Sequence, residues 1–302
     1  MYWMLLPVVI AILTGFGLFL SGKVIHPLVK SREEVLNIEC GRGNINIAAF
    51  ERLPREEVSI PSPYGYRLQG LYFPNGDSRK TVIICHGITY TVYGSVKYME
   101  MFMKRGYNVL IYDHRNHGDS GGKNTTFGYY EKFDLKACTD WVVERCGIGC
   151  IVGLHGESMG AAVALQNIAI DPRIAFCIAD CPFSDLAELL LYRLKVEYGF
   201  PAFPSMELTR FFSWLRTGMK LKSISPIRDT ANTDTPVFFV HGKEDSYIPA
   251  RMSIAMYNAK NGAKKLYLAP NSRHAESVLM NREEYDGLVG EFLEEAERRY
   301  PR

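Results

Sequence analysis

The chain begins with an apolar block and then alternates. Residues 1–22 carry no charged side chain, and at about 1.5 Å per residue they predict a helix long enough for a hydrocarbon core of roughly 30 Å. The stretch has no polar face, which disfavours the alternative of an amphipathic helix packed on a domain. Pro7, Thr14, Gly15 and Gly17 dilute its helical character. Lys23, Lys30 and Arg32 come after the block rather than before it. That order argues against a cleaved signal peptide and places the downstream residues on the cytoplasmic side of a single-pass membrane helix. The expected organisation is a transmembrane anchor over 1–22, a juxtamembrane connector over 23–55 and a folded domain over 56–302.

Within the domain, short apolar runs bounded by Gly, Pro, Asn and Asp alternate with longer helical stretches. Strands are predicted at Arg67 to Phe73, Thr81 to Cys85, Val109 to Asp113, Cys150 to Leu154, Ile174 to Ala179, Val237 to Val240 and Leu266 to Leu268, with the first part of the sheet starting near Glu56. Helices are expected near 95–105, 130–145, 159–170, 251–260 and 283–299. Such alternation predicts an α/β architecture, a mostly parallel central sheet with helices on both faces. Residues 183–229 interrupt it with an aromatic and leucine-rich insertion that reads equally as a helical cap or as ordinary helices on the sheet.

The candidate chemistry sits at strand ends. Gly156-Glu157-Ser158-Met159-Gly160 lies between the strand-like Ile151–Leu154 and the helix-like Ala161–Leu165, the context in which G-x-S-x-G becomes a nucleophile elbow. A tight strand-to-helix turn thrusts a serine clear of the backbone, and the flanking glycines remove β-carbons that would collide there. Asp245 comes after the run Thr235–Val240, and His274 after Lys265–Ala269. His274 is the candidate base for Ser158, and Asp245 the candidate acid that orients its imidazole. Asp180, after another strand, is the rival to Asp245. Of the seven histidines, His86 and His241 precede glycines at strand ends and read as structural. His114 and His117 lie in a glycine-rich loop suited to a site wall, and His155 neighbours the elbow.

Taken together, the elbow, His86-Gly87-Ile88, the segment Asp113 to Gly122, Asp245 and His274 resemble serine hydrolases of the α/β-hydrolase fold. The similarity covers roughly residues 55 to 300, in the branch of bacterial membrane-anchored esterases and lysophospholipase or monoacylglycerol-lipase-like enzymes. The resemblance implies a triad of Ser158, Asp245 and His274 in the chain order such hydrolases use. It also implies an oxyanion hole from the backbone N–H groups of Ile88 and Met159, the latter at a helix start where amides are unpaired. The implied activity is cleavage of carboxylic acyl esters through an acyl-enzyme, on a small to medium acyl-ester substrate, with no cofactor and no metal. An amide or thioester hydrolase or peptidase is the catalytic alternative, and a noncatalytic acyl-binding or scaffold protein the other. A dehalogenase is disfavoured because its elbow needs a carboxylate nucleophile.

Composition narrows this further. A net charge of +2 from 35 basic and 33 acidic side chains leaves no basic stripe for nucleic acid. The seven cysteines are odd in number and irregularly spaced. Cys85, Cys138 and Cys177 read as small buried hydrophobes, Cys146 and Cys150 lack a second ligand pair for zinc, and a reducing compartment fits better than a disulfide framework. The sequence sets no oligomeric state.

Overall fold

The computed structural model describes residues 5–300. Its strands are β1 (Glu56–Pro61), β2 (Arg67–Phe73), β3 (Lys80–Cys85), β4 (Asn108–Tyr112), β5 (Ile151–Glu157), β6 (Ile174–Asp180), β7 (Val237–Gly242) and β8 (Lys264–Ala269). They form one sheet in the order β1-β2-β4-β3-β5-β6-β7-β8. The β1/β2 and β2/β4 pairs are antiparallel, and every pair from β4 through β3, β5, β6 and β7 to β8 is parallel. This is the expected α/β-hydrolase architecture.

Successive side chains on a strand point to opposite faces, and here both faces are covered. On β3, Ile83 and Cys85 join one core while Val82 and Ile84 join the other; on β6, Cys177 and Ala179 oppose Phe176 and Ile178. Central strands buried on both sides read as unbroken apolar runs, which is why they were legible.

The helices are α1 (Leu5–Ile25), α2 (Arg32–Gly41), α3 (Ile47–Glu51), α4 (Val96–Met103), α5 (Glu131–Cys146), α6 (Met159–Asn167), α7 (Leu186–Arg193), α8 (Ala202–Thr217), α9 (Pro226–Thr230), α10 (Arg251–Ala259), α11 (Ser277–Met280) and α12 (Arg282–Arg299). Helices α5, α6 and α10 bury apolar stripes in the first core. Helices α4 and α12 bury Tyr98, Phe102, Tyr285, Val289 and Phe292 in the second.

Three features differ from the sequence pattern. Strand β5 runs three residues past Leu154, because His155, Gly156 and Glu157 pair with Ile178, Ala179 and Asp180 on β6. The segment read as a connector is folded onto the domain. Ser31 caps α2 in a reciprocal box with Glu34, whose carboxylate accepts the Ser31 N–H at 2.6 Å. Helix α1 extends to Ile25; its first half is exposed, whereas Gly17, Leu20, Ser21, Val24 and Ile25 are buried. The first four residues of the expected anchor lie outside the described residues. Helices α7 and α8 fill the insertion, with Phe203, Phe211, Trp214 and Leu215 exposed, so its aromatic residues do not all serve a private core.

Candidate active site

The elbow between β5 and α6 is built by contact distances that exclude side chains. A β-carbon on Gly156 would lie 2.5 Å from the backbone of Gly160 and Ala161, and one on Gly160 would lie 2.2 Å from the Cys85 carbonyl oxygen. Helix α6 therefore starts directly against the ends of β5 and β3. Ser158, at the apex, has φ +56° and ψ −117°, a conformation costly for a non-glycine residue and found where surrounding structure imposes it.

Two further loops deliver the partners. At the end of β7, Gly242 leaves room for the backbone of 272–273, whose Ser272 carbonyl would meet a β-carbon there at 2.4 Å. The Glu244 N–H donates to that same carbonyl at 2.9 Å. The Asp245 and His274 loops are thus joined by backbone, and the side chains meet above the elbow. His274 Nδ1 lies 2.7 Å from Asp245 Oδ2, and His274 Nε2 lies 2.9 Å from Ser158 Oγ.

Asp245 is buried and heavily solvated by protein donors. Its Oδ1 accepts the N–H groups of Tyr247 and Ile248 at 2.8 and 2.9 Å. Burial alone would raise its pKa, but hydrogen bonds from His241 and His274 outweigh that and hold the carboxyl well below the ordinary range. Cys181, Asp245 and His274 place possible ligand atoms within 4.8 Å of one another. Burial pushes the Cys181 thiol well up, however, and the other two already bond to each other. The donor set suits a proton relay better than a cation.

Asp180, the rival acid, points elsewhere. It accepts from Tyr98 Oη at 3.2 Å and from Ser277 Oγ at 3.1 Å, and burial together with neighbouring Glu157 raises its pKa to about 6. Glu157 in turn pairs with Lys97 Nζ at 2.5 Å and accepts from Tyr98 Oη at 2.7 Å. Lys97 also reaches the Ala275 carbonyl at 3.4 Å. This buried cluster ties the residue before Ser158 to the one after His274. Sequence reasoning missed Lys97 and Tyr98, which sit on α4 far from any motif; the only signal was a lysine among apolar residues in a helix.

The residues expected to supply the oxyanion donors flank the serine in the chain and in the Gly87 loop. A β-carbon on Gly87 would lie 3.5 Å from Ser158 Cβ, so the Gly87-Ile88 loop stands against the elbow. Met159 is the first residue of α6, and its N–H, like those of all first-turn residues, has no intrahelical partner. The next loop residue, Thr89, has φ +67° and donates its N–H to His117 Nε2 at 3.4 Å, while His117 Nδ1 faces the Arg115 carbonyl at 2.8 Å. His86 makes the analogous pair, Nδ1 to the Gly87 carbonyl at 2.8 Å and Nε2 accepting the His114 N–H at 3.0 Å. Burial lowers the pKa of His86, His114 and His117, that of His114 to about 3. These imidazoles are neutral struts. His155 is likewise buried, with its pKa lowered to about 3 and its Nε2 3.1 Å from Tyr285 Oη. His241 spans Ser253 Oγ and the Ile248 carbonyl, both at 2.7 Å.

An apolar cavity of about 470 Å³ adjoins the site, touching Ile88, Thr89 and Tyr247. Tyr247 packs on the His274 ring, with centroids 4.9 Å apart. A second hollow of about 300 Å³ lies between α3 and α4 and touches no triad residue.

The sequence model of the family described as serine aminopeptidase, S33, matches residues 76–232, more than half of the chain and including the elbow. The chain belongs to that family. Among relatives of this family member, the Bacillus subtilis (strain 168) protein YqkD is 40% identical over 282 residues, 93% of this chain and 92% of that protein. A thiohydrolase of Eupenicillium brefeldianum is 30% identical over 149 residues, 45% of this chain and 46% of that protein. Among solved structures, the Pyrococcus furiosus esterase Pf2001 superposes with a TM-score of 0.67 at 29% identity, covering 80% of this chain and 91% of that one. This S33 member is thus a hydrolase of the α/β-hydrolase fold with esterase structural neighbours.

Proposed function

We propose that the protein is a membrane-held serine hydrolase that cleaves carboxylic acyl esters, with Ser158 as nucleophile, His274 as base and Asp245 as orienting acid. The observation that carries this reading is the continuous relay from Ser158 Oγ through both His274 nitrogens to Asp245 Oδ2, at 2.9 and 2.7 Å. In the first step Ser158 Oγ bonds to the substrate carbonyl carbon while His274 Nε2 takes its proton. The oxyanion turns toward the N–H groups of Ile88 and Met159, each such donor being worth about 100-fold to 1000-fold in turnover. Collapse breaks the carbon–oxygen bond to the alcohol, which leaves with the proton from Nε2. Water, deprotonated by the same nitrogen, then bonds to the acyl carbon; the Ser158 Oγ–carbon bond breaks, Nε2 returns the proton to Oγ, and the acid leaves. Asp245 fixes the imidazole and favours its protonated form without taking the proton. These groups complete the chemistry on their own.

The membrane part of the reading rests on α1. Among the described residues it is the one helix long and apolar enough to cross a bilayer. Leu5, Val8, Ile10 and Ile12 are each more than half exposed, apolar surface that water disfavours and acyl chains accommodate. Lys23 comes at the end of the apolar run, which favours the hydrolase domain on the cytoplasmic side.

The thiohydrolase relative favours a second reading, thioester cleavage, in which the same attack expels a thiol. The test is hydrolysis of p-nitrophenyl butyrate and its aryl thioester by the full-length protein in detergent, beside fluorophosphonate labelling. The ester should be the better substrate, with activity and labelling abolished in Ser158→Ala and hydrolysis abolished in His274→Ala. A thioester preference would move the assignment to the second reading. Failure of the folded protein to label would favour a noncatalytic acyl-binding role.

A further inference from the structure

The cavity beside the triad has an unexpected wall. On one side stand Leu190 and Leu194 from the insertion; on the other stand Leu20, Val24 and Leu28, from the end of α1 and the turn after it. That end of α1 is seated closely on α8. A β-carbon on Gly17 would lie 2.2 Å from the Phe212 ring, and Arg216 Nη1 donates to Ser21 Oγ at 3.0 Å. The cavity volume of about 470 Å³ falls within the roughly 300–1,000 Å³ usual for small-molecule sites; α1 contributes Leu20, Lys23 and Val24 to its mostly apolar lining, which also holds His26, Arg193 and Glu197.

The residues just after α1 are fastened to the catalytic loops. The Ile25 carbonyl accepts the Thr125 N–H at 2.9 Å, and the Lys30 N–H donates to the Thr89 carbonyl at 3.0 Å. Arg32 Nε donates to the buried Asp113 Oδ2 at 2.7 Å. Thr89 is next in the chain to the candidate oxyanion donor Ile88 and sits in the left-handed region, which a threonine adopts only when held there. Lys30 holds it from one side and His117 from the other.

We propose that residues 20–32 are a substrate-binding and positioning element of the active site: Leu20, Val24 and Leu28 form one wall of the site for a single acyl chain, and the Lys30 backbone holds the oxyanion loop. The cavity wall from this segment therefore selects for acyl-chain length, with esters of longer chains favoured over short ones. This rests on the acyl-ester and membrane readings of the proposed function. A helix serving only as a tether would contact neither the cavity nor the oxyanion loop.

The test uses full-length protein in mixed micelles and reads, for each variant, the ratio of kcat/KM for p-nitrophenyl dodecanoate to that for the butyrate. Val24→Trp places an indole across the cavity and should lower the ratio at least tenfold. Leu190→Trp on the facing wall should do the same, and Leu13→Trp on the free half of α1 should leave the ratio within twofold. Lys30→Pro removes the N–H that Thr89 needs and should lower kcat about 10-fold to 100-fold with KM little changed, since a small misplacement of catalytic groups has that scale of effect. Lys30→Ala keeps the N–H, losing only the 3.4 Å bond from Nζ to Thr89 Oγ1, and its loss of kcat should be at least threefold smaller than that of Lys30→Pro. An unchanged ratio in Val24→Trp alongside a shifted one in Leu190→Trp overturns the role of α1, as does wild-type kcat in Lys30→Pro. Ester hydrolysis that is absent, or that survives Ser158→Ala, instead overturns the underlying function.

Discussion

Replacing Lys97 with methionine isolates the buried cluster behind the triad. Lys97 and Glu157 side chains are 4% and 8% exposed and meet at 2.5 Å, and Asp180 lies on the same tyrosine hydroxyl as Glu157. Methionine matches the lysine stem but leaves two carboxyl groups facing each other with no cation. Removing one partner of a buried pair typically costs about 3–5 kcal/mol, because the remaining charge stays desolvated. With an unfolding entropy near 2.1 cal/mol/K per residue, a chain of roughly 300 residues has about 0.6 kcal/mol/K, so that loss lowers Tm by about 5–8 °C. The double variant Lys97→Met/Glu157→Gln leaves Asp180 as the single carboxyl group there, with no second carboxylate facing it; the amide oxygen still accepts the Tyr98 hydroxyl, and at least half of the loss should be recovered. Thermal unfolding of the full-length protein at pH 7, monitored by far-UV circular dichroism, gives both numbers. A double variant as unstable as the sum of the singles would refute the electrostatic account and leave only lost packing.

Asp245→Asn keeps an acceptor for the Tyr247 and Ile248 N–H groups, so the fold should persist while kcat for p-nitrophenyl esters falls about 10⁴-fold, the scale set by losing the correct histidine tautomer; a loss under tenfold would remove Asp245 from the relay. Asp180 has its folded pKa raised to about 6 from an ordinary carboxylate value near 3.9. Its protonated form is the one the fold favours, so its contribution to stability is full below the unfolded pKa and is lost as pH rises through about 6. The Tm of Asp180→Asn minus that of wild type should therefore rise between pH 4 and pH 7, and a flat difference would refute the shift. Gly160→Ala drives a β-carbon to 2.2 Å from the Cys85 carbonyl oxygen; the obstacle is backbone and cannot rotate away. Fluorophosphonate labelling of the folded variant should slow at least 100-fold, a small displacement of Ser158 being enough, whereas Gly287→Ala, where nothing lies within 4 Å, should label like wild type.

The features legible in the sequence were those with a local physical cause. Parallel strands buried on both faces have to be apolar throughout, so β3, β4, β6 and β7 stood out; the elbow glycines stood out because two backbones cannot approach otherwise. Asp245 was placeable because it follows such a strand, β7, and His274 because it follows the half-buried edge strand β8 in the chain order of the triad. The rest depends on partners distant in the chain. His155-Gly156-Glu157 looks polar, yet it is the buried end of β5, because Tyr285 from α12 and Lys97 and Tyr98 from α4 supply its hydrogen bonds. Residues 23–55 looked like a linker for the same reason. Lys30 and Arg32 carry no motif, and their meaning comes from Thr89 and Asp113, 59 and 81 positions away. A cationic segment after an apolar helix is usually read as charge bias alone. Here Arg32 is committed to a carboxylate inside the protein, so the segment's basic residues do not act only on lipid headgroups. The same residues that follow the apolar helix also bond to the loop beside Ser158 and to Asp113, which ties the position of the helix end to the geometry around the elbow.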